Sequence, residues 1–206
     1  MTHIQEEKIS TLKKCLDTYT THHLDDRVLN LQGMSVSDYR KFINCLVATG
    51  GFKNYLEIGV WKGSTAISAL YNNISKLENY WLIENWSEYD GESAKKDFDV
   101  SWKTIMENHP TNLIQSDSFS VDLEKNKIQG VDLYFYDGFH TRECQYRALE
   151  YYYSCVADVF VYLVDDWNHE SVHNGTNDAI RDLNFKVRYT NTRDWHNGIG
   201  IFVLEK

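Results

Sequence analysis

The sequence has only one proline, Pro110, and no tract rich in proline, glycine or serine that would mark a linker. No apolar run approaches the roughly 18 residues that a membrane-spanning helix needs, and no segment has the basic start and apolar centre of a secretory leader. The four cysteines form no CxxC pair, so they read as small apolar side chains. We therefore expect a single domain over residues 1–206, located in a reducing cytoplasm without a membrane partner.

Positive charge is also in short supply. The chain carries 30 acidic and 21 basic residues, a formal net charge of −9. Nucleic acids are bound mainly through Lys and Arg, which neutralise the phosphate backbone. The composition thus argues against a nucleic-acid partner and favours a small polar substrate.

Apolar residues recur at helical spacing in two stretches of the first fifty residues, and Gly50 and Gly51 follow the second stretch. We predict two helices here, forming an N-terminal helical cap over residues 1–51. The cap would either cover a site in the core, with Gly33 and Met34 near the ligand, or supply a contact in a homo-oligomer.

From residue 52 onward, short apolar strands alternate with helical segments. The predicted strands are NYLEIGV, NYWLIEN, TNLIQS, VDLYFY, VFVYLV, KVRYTN and GIGIFVLE. Such alternation produces right-handed βαβ units, and the short loop between the last two strands predicts an antiparallel pair. The expected fold is α/β: a doubly wound, mostly parallel seven-stranded sheet with an antiparallel C-terminal edge hairpin. The predicted helices between the strands include 94–108, 142–154 and 176–184.

Ligands of such sheets bind at the carboxyl ends of the strands, where the strand order reverses. The first strand ends in a glycine turn that opens a helix, the second ends in an acid about twenty residues later, and the third leads to polar residues. A glycine turn alone is equally consistent with a tight strand-to-helix connection. The candidate cofactor-binding residues are Glu57, Gly59, Gly63, Ser64, Glu84, Asp117 and Ser118.

The segment YLEIGVWKGST resembles the first motif of class I methyltransferases that depend on S-adenosylmethionine (SAM), and the order of elements follows that family from about Asn54 to Glu205. The resemblance implies that the turn residues line the methionine part of SAM, that Glu84 holds the ribose, and that Asp117 and Ser118 lie by the adenine. A nicotinamide cofactor fits less well, because the turn reads GxxxG and not GxGxxG. The segment YYYSCVAD departs from the Pro-Gly-Gly turn of many members.

Four ionisable residues end the fourth and fifth predicted strands: Asp137, His140, Asp165 and Asp166. Because these strands should be adjacent, the side chains should converge, and three clustered carboxylates favour a divalent cation such as Mg²⁺ or Mn²⁺. This pair of segments is similar to the metal-dependent sugar and macrolide O-methyltransferases of the macrocin type. That resemblance implies Asp137, Asp165 and Asp166 as metal ligands, His140 as the general base, and a sugar or glycan hydroxyl as the methyl acceptor.

Plainer interpretations remain open. Asp137 could be a turn residue before Gly138, and Asp166 could cap a helix. Trp167 and Trp195, placed on loops, could form a wall of the acceptor site, whereas most of the other aromatic rings, such as Trp81 and Trp102, are predicted to lie in the core. The acceptor could also be a non-sugar small molecule of catechol type, and a non-catalytic module of the same fold would bind SAM or sugar without transfer.

A different enzyme class is suggested by HESVH over residues 169–173, which matches the HExxH pattern of zinc peptidases. That pattern requires two histidines one turn apart on a long helix. Here Asn174 and Gly175 follow directly and predict a turn, so we expect the match to be a coincidence.

Overall fold

The computed structural model describes residues 2–107 and 109–206. Its helices are α1 (His3–Thr18), α2 (Asp26–Leu29), α3 (Ser37–Thr49), α4 (Ser64–Leu70), α5 (Gly91–Ile105), α6 (Arg142–Tyr151) and α7 (Glu170–Asp182). Its strands are β1 (Asn54–Ile58), β2 (Asn79–Glu84), β3 (Leu113–Gln115), β4 (Val131–Tyr136), β5 (Val156–Val164), β6 (Lys186–Arg193) and β7 (Ile199–Glu205). Short 3₁₀ turns occur at Tyr19–Thr21 and Ile74–Lys76.

The described strands form one seven-stranded sheet in the order β3-β2-β1-β4-β5-β7-β6. The pairs β1–β2, β1–β4, β2–β3 and β4–β5 are parallel, whereas β7 is antiparallel to both β5 and β6. The strand order reverses between β1 and β4, so the carboxyl ends of these two strands mark the switch point where such sheets bind ligands. The predicted fold class is confirmed.

The central strands are apolar along almost their whole length because both faces of the sheet are covered. On one face, side chains of β1 and β4 pack against α1, α3, α4 and α5. On the other face, the alternate side chains of β4 and β5 pack against α6 and α7. Trp81 and Trp102 are 3% and 5% exposed, so their assignment to the core is confirmed.

The N-terminal segment contains α1 and α3 as predicted, together with a short helix that the sequence pattern did not reveal. This helix, α2, spans only one turn and begins where the Asp25 side chain accepts a hydrogen bond from the Arg27 amide. One turn is too short to show a helical period. Helix α1 is tied to the sheet through Gln5, whose side-chain amide donates to Glu205, and through the Lys8–Asp132 ion pair at 3.3 Å.

The predicted bounds of three helices were wrong, including those of α6, which ends at Tyr151 and not at 154. Helix α7 begins at Glu170, six residues before the predicted start at 176, and it runs through Gly175. A Cβ at Gly175 would lie 2.3 Å from the Arg142 carbonyl oxygen, so this glycine permits close packing of α7 on α6 and does not end a helix. Helix α5 spans Gly91–Ile105 and not 94–108, and Asn108 lies outside the described residues.

The four cysteines are all free thiols; three are buried, and Cys144 is partly exposed. Among the described helices, none combines the length and the hydropathy that crossing a bilayer requires.

Candidate functional site

A cavity of about 370 Å³ opens at the carboxyl ends of β1, β2, β4 and β5. This position matches the switch point of the sheet, and the volume lies in the range of small-molecule sites. The walls come from the N-terminal cap and from the loops that follow these strands and precede β7. The lining residues fall within 34–39, 59–65, 83–89, 135–140, 165–169 and 195–199, together with Ser118.

The glycine turn after β1 forms the floor of one end of the cavity. Gly59 has φ 85°, and a Cβ there would lie 1.8 Å from the carbonyl oxygen of Asp137, so the turn tolerates no side chain. Gly63 has φ 82° at the start of α4, where a Cβ would meet the Phe98 ring at 2.6 Å. Gly59 and Ser64 line the cavity, whereas Gly63 is packed against Phe98 and does not.

Glu84 ends β2 beside this turn, and the backbone fixes its carboxylate in place. Oε2 accepts the amide of Trp61 at 2.7 Å, and Oε1 accepts the amides of Asn85 and Trp86 at 2.8 and 2.7 Å. The side chain lines the cavity. A carboxylate has about four lone-pair directions, so Glu84 keeps capacity for a further donor such as a ligand hydroxyl.

Besides Gly63, two further predicted cofactor residues do not lie on the cavity wall, Glu57 and Asp117. Glu57 is 1% exposed, and its Oε2 accepts the Tyr55 hydroxyl at 2.5 Å. Burial raises the pKa of Glu57 to about 8. Asp117 turns back on its own loop, where Oδ1 accepts the Phe119 amide at 2.9 Å. The structure therefore brings only Gly59, Ser64, Glu84 and Ser118 of the predicted set to the cavity.

The other end of the cavity contains the four ionisable residues that follow β4 and β5: Asp137, His140, Asp165 and Asp166. The two strands are parallel neighbours, with Tyr136 paired to Val164, which sets their ends side by side. His140 lies between two of the acids. Its Nδ1 is 3.1 Å from Asp166 Oδ2, and its Nε2 is 3.7 Å from Asp137 Oδ1. The predicted convergence is present in the structure.

Desolvation dominates the electrostatics of this acidic end. It raises the pKa of both Asp137 and Asp165 well above the usual range for a carboxyl, and the charge of Asp137 adds to the rise at Asp165. The Asp137 side chain remains 29% exposed, so this group is recessed in the cavity wall and not covered by protein. Buried atoms without a hydrogen-bond partner include His140 Nε2 and Asp166 Oδ1.

The same residues were predicted to hold Mg²⁺ or Mn²⁺. An all-oxygen set of carboxylates has the right chemistry, and the unpartnered Asp166 Oδ1 is a free donor atom. However, within residues 2–107 and 109–206, no group of three or more His, Cys, Asp or Glu side chains is arranged to hold a metal ion. The His140 ring stands between Asp137 and Asp166, at 3.7 and 3.1 Å from their oxygens. The fit is therefore incomplete, and the metal stays a prediction.

The sequence analysis overlooked several wall residues that come from other segments. Ser35 and Tyr39 of the cap line the cavity, and Ser35 Oγ lies 2.9 Å from Ser64 Oγ. Tyr39 lies at helical spacing with the other apolar residues of α3, and that spacing gives no sign that it lines a cavity. Trp195 lines the cavity as predicted, but Trp167 does not, because its ring packs on Phe202 at 5.1 Å.

The HExxH segment lies on a helix, contrary to prediction, because α7 begins at Glu170. His169 precedes the first turn and lines the cavity, while the His173 ring packs against Trp167 at 4.8 Å. No metal-holding group is found around these histidines or elsewhere in the described chain. The peptidase interpretation therefore has no support beyond the pattern itself.

Comparison with known proteins gives matches at the level of structure. No protein-family model and no curated protein sequence matches the chain. A protein from Staphylococcus aureus assigned as a caffeoyl-CoA O-methyltransferase is 15% identical and has a TM-score of 0.68, with 94% of this chain and 98% of that one covered.

Two further matches are structures with S-adenosylhomocysteine (SAH) bound. An O-methyltransferase from Bacillus cereus is 16% identical with a TM-score of 0.61, covering 95% of this chain and 91% of that one. The methyltransferase PaMTH1 from Podospora anserina is 13% identical with a TM-score of 0.60, covering 95% and 88%. At these identities the likeness concerns the fold. The chain has the Rossmann-like fold of these methyltransferases over nearly its whole length.

Proposed function

We propose that this chain is a SAM-dependent O-methyltransferase that transfers a methyl group to a hydroxyl of a small acceptor. One observation carries the proposal. A single cavity joins a backbone-fixed carboxylate beside a glycine turn, Glu84, to a histidine flanked by acids, His140. The Glu84 carboxylate is suited to binding a nucleoside, and His140 is suited to removing a proton. The SAH-bound structures of the same fold support the choice of cofactor.

The cofactor would lie over the glycine turn. Glu84 would accept a hydrogen bond from a ribose hydroxyl through its remaining lone pair, and Ser118 would lie near the adenine. Gly59 would allow the methionine part to approach the backbone, and Ser64 would contact it from the start of α4. This arrangement directs the methyl group toward the acidic end of the cavity.

His140 would act as the general base. Its Nδ1 lies 3.1 Å from Asp166, which orients the ring. Its Nε2 lies 3.7 Å from Asp137 Oδ1, beyond hydrogen-bond distance, and has no hydrogen-bond partner among the described residues, so it can accept a proton. As Nε2 removes the proton from the acceptor hydroxyl, the oxygen attacks the methyl carbon of the sulfonium. The new C–O bond would form while the C–S bond breaks. The electron pair of the C–S bond would return to sulfur, leaving neutral SAH.

A divalent metal remains part of the proposal. Mg²⁺ or Mn²⁺ held by Asp137, Asp165 and Asp166 would lower the pKa of the acceptor hydroxyl. Binding requires some movement of these side chains, since they do not form a ready metal site. We expect chelator to abolish methyl transfer and Mg²⁺ or Mn²⁺ to restore it, with zinc a poor substitute for an all-oxygen set. Full activity in excess chelator would leave the three acids with orienting and structural roles.

The favoured acceptor is a sugar or glycan hydroxyl. Tyr39 and Trp195 are aromatic residues of the cavity wall, and the acids offer hydrogen-bond acceptors for the other hydroxyls of a sugar. A phenolic acceptor of catechol type is the second candidate. It is favoured by exposed apolar side chains among the lining residues, with Met34, Tyr89 and Phe139 at 51%, 66% and 41% exposure.

The test is a methyl-transfer screen with radiolabelled SAM. The panel should contain mono- and oligosaccharides and catechols, each assayed with Mg²⁺ and with chelator. Transfer to any hydroxyl in the panel is the expected result, and the panel member with the highest turnover decides between the two acceptor classes. SAH binding without transfer to any member would favour a non-catalytic module, and failure to bind SAH would contradict the proposed function altogether.

A further inference from the structure

The buried hydroxyl of Tyr39 is not used by the mechanism above. Tyr39 lies on α3 and is 2% exposed, and its side chain lines the cavity. Its Oη has no hydrogen-bond partner in the part of the chain that the structure describes. A buried hydroxyl without a partner is costly, and one at a cavity wall can obtain its partner from a ligand.

The ring of Tyr39 is held by its neighbours. Its centroid lies 5.4 Å from that of Phe135 on β4 and 6.0 Å from that of Trp195 on the β6–β7 loop. These contacts join the cap to the sheet and to the last loop of the site. They leave the hydroxyl little freedom to turn toward another protein partner.

Tyr39 lines the same cavity as Asp137 and Asp165, and its ring packs on Phe135, two residues before Asp137. Burial, followed by the charges of Asp165, Glu57 and Asp137, raises the pKa of Tyr39 well above its usual value. The phenol thus stays protonated and can donate a hydrogen bond. A donor to the attacking oxygen would occupy a lone pair and weaken the nucleophile, so its natural partner is another oxygen of the acceptor.

We propose that Tyr39 Oη donates a hydrogen bond to a second oxygen of the acceptor, next to the hydroxyl that is methylated. This inference rests on the proposed function and adds a substrate requirement to it. The N-terminal cap then supplies a specificity-determining residue, and good acceptors carry two oxygens close together, as a sugar diol and a catechol both do.

The test combines one substitution with a set of acceptors. Tyr39→Phe removes only the hydroxyl and keeps the ring packed against Phe135 and Trp195. The acceptor with the highest turnover in the screen is compared with its analogues that each lack one oxygen. With wild type, kcat/KM for one analogue should be about three- to tenfold lower than kcat/KM for the parent acceptor. With Tyr39→Phe, kcat/KM for the parent acceptor should already be lower by that factor, and the same analogue should cause no further loss.

Tyr162→Phe is the matched control. The Tyr162 hydroxyl is also buried and unpartnered, but it lies on β5 in the apolar cluster under α6 and α7, away from the cavity. Tyr162→Phe should keep the wild-type kcat/KM and the wild-type discrimination between acceptors. Calorimetry should give equal SAH dissociation constants for wild type and both variants, and the melting temperature of Tyr39→Phe should not fall.

Unchanged kcat/KM in Tyr39→Phe would overturn the inference. Weaker SAH binding by this variant with an unchanged acceptor KM would also overturn it, because the hydroxyl would then contact the cofactor. If Tyr39→Phe fails to fold, the analogue series on wild type decides alone, because equal turnover of every analogue contradicts the inference. A wild type that transfers no methyl group fails earlier, at the proposed function, so the two failures are distinguishable.

Discussion

The two ends of the cavity differ in how their polar atoms are satisfied. At the end proposed for the cofactor, which comprises the glycine turn after β1 and Glu84 and is called the cofactor end below, the Glu84 carboxylate accepts three backbone amides within 2.8 Å. At the acidic end, three buried polar atoms lack a partner in the described chain: Tyr39 Oη, His140 Nε2 and Asp166 Oδ1. Apart from Tyr39 on α3, the named residues of both ends lie at or just after the carboxyl ends of parallel strands, so position in the sheet does not explain the difference.

This difference indicates two ways of building a site. The backbone completes the cofactor end before any ligand arrives, which preorganises Glu84 for a constant partner. The acidic end leaves donors and acceptors open, and a bound molecule would satisfy them. Three of the five unpartnered buried side-chain atoms in the described chain lie at this end, and because such groups are costly, we infer that this end is the place of recognition and chemistry.

The largest effect should come from removing the proposed base. His140→Ala should lower kcat by about 10² to 10⁴, the usual contribution of a positioned base, while SAM affinity stays near that of wild type. Steady-state kinetics with labelled SAM and the best acceptor measures this. His173→Ala is the control, because His173 packs on Trp167 outside the cavity. Wild-type turnover in His140→Ala would show that His140 is not the general base, and the functional contrast between the two ends would then have no support.

A smaller effect should follow at the cofactor end. Glu84→Ala removes the acceptor of three amides and of the proposed ribose contact, so the KM for SAM should rise about tenfold or more while the KM for the acceptor changes little. Asp117→Ala should leave the KM for SAM within about twofold, since Asp117 serves its own turn. If Asp117→Ala raised the KM for SAM and Glu84→Ala did not, the sequence-based assignment of Asp117 to the cofactor would be restored.

The smallest effect on function is expected for Glu57, which the structure places off the cavity wall. Glu57→Gln should leave SAH affinity within about threefold and act on stability instead. The pKa of Glu57 is raised from 4.5 to about 8, so the folded state binds its proton more tightly. The stability it contributes is complete below about pH 4.5 and is lost as the pH rises toward 8.

Urea unfolding at several pH values tests this assignment. The free energy of unfolding of wild type should decline from pH 5 to pH 8, and Glu57→Gln should reduce that decline by a few kcal/mol at most. The remaining decline would reflect Asp137 and Asp165, whose pKa values are raised as well. Identical pH dependence of both proteins would contradict a protonated, buried Glu57.

The fold could be predicted because its signals are local and repeated. Apolar strands such as β4 and β5 read as buried on both faces, and their alternation with helices implies a parallel sheet. Strand ends then predicted Glu84, His140 and the acids, since parallel strands bring their carboxyl ends to one edge. The predictions that failed rest on residues that occur in more than one structural setting. Gly175 predicts a turn, but in the structure it lies inside α7 and permits close packing on α6.

Tyr39 shows a different limit of sequence reasoning. Its spacing on α3 is that of a core residue, and most of its ring is in fact core, packed on Phe135. Only the position of α3 over the strand ends places the hydroxyl in a cavity, and that position depends on long-range packing. Glu57 shows the same limit. Its carboxylate is buried off the cavity wall and accepts the Tyr55 hydroxyl, and the short motif around it does not predict this position.

The contrast between the two ends is tested most directly by titrating SAH into wild type, Glu84→Ala and His140→Ala in one calorimetric series. We expect micromolar binding to wild type and to His140→Ala, and binding at least about tenfold weaker to Glu84→Ala. Equal affinity for all three proteins, or loss of affinity in His140→Ala alone, would contradict the division of the cavity into a cofactor end and a chemical end.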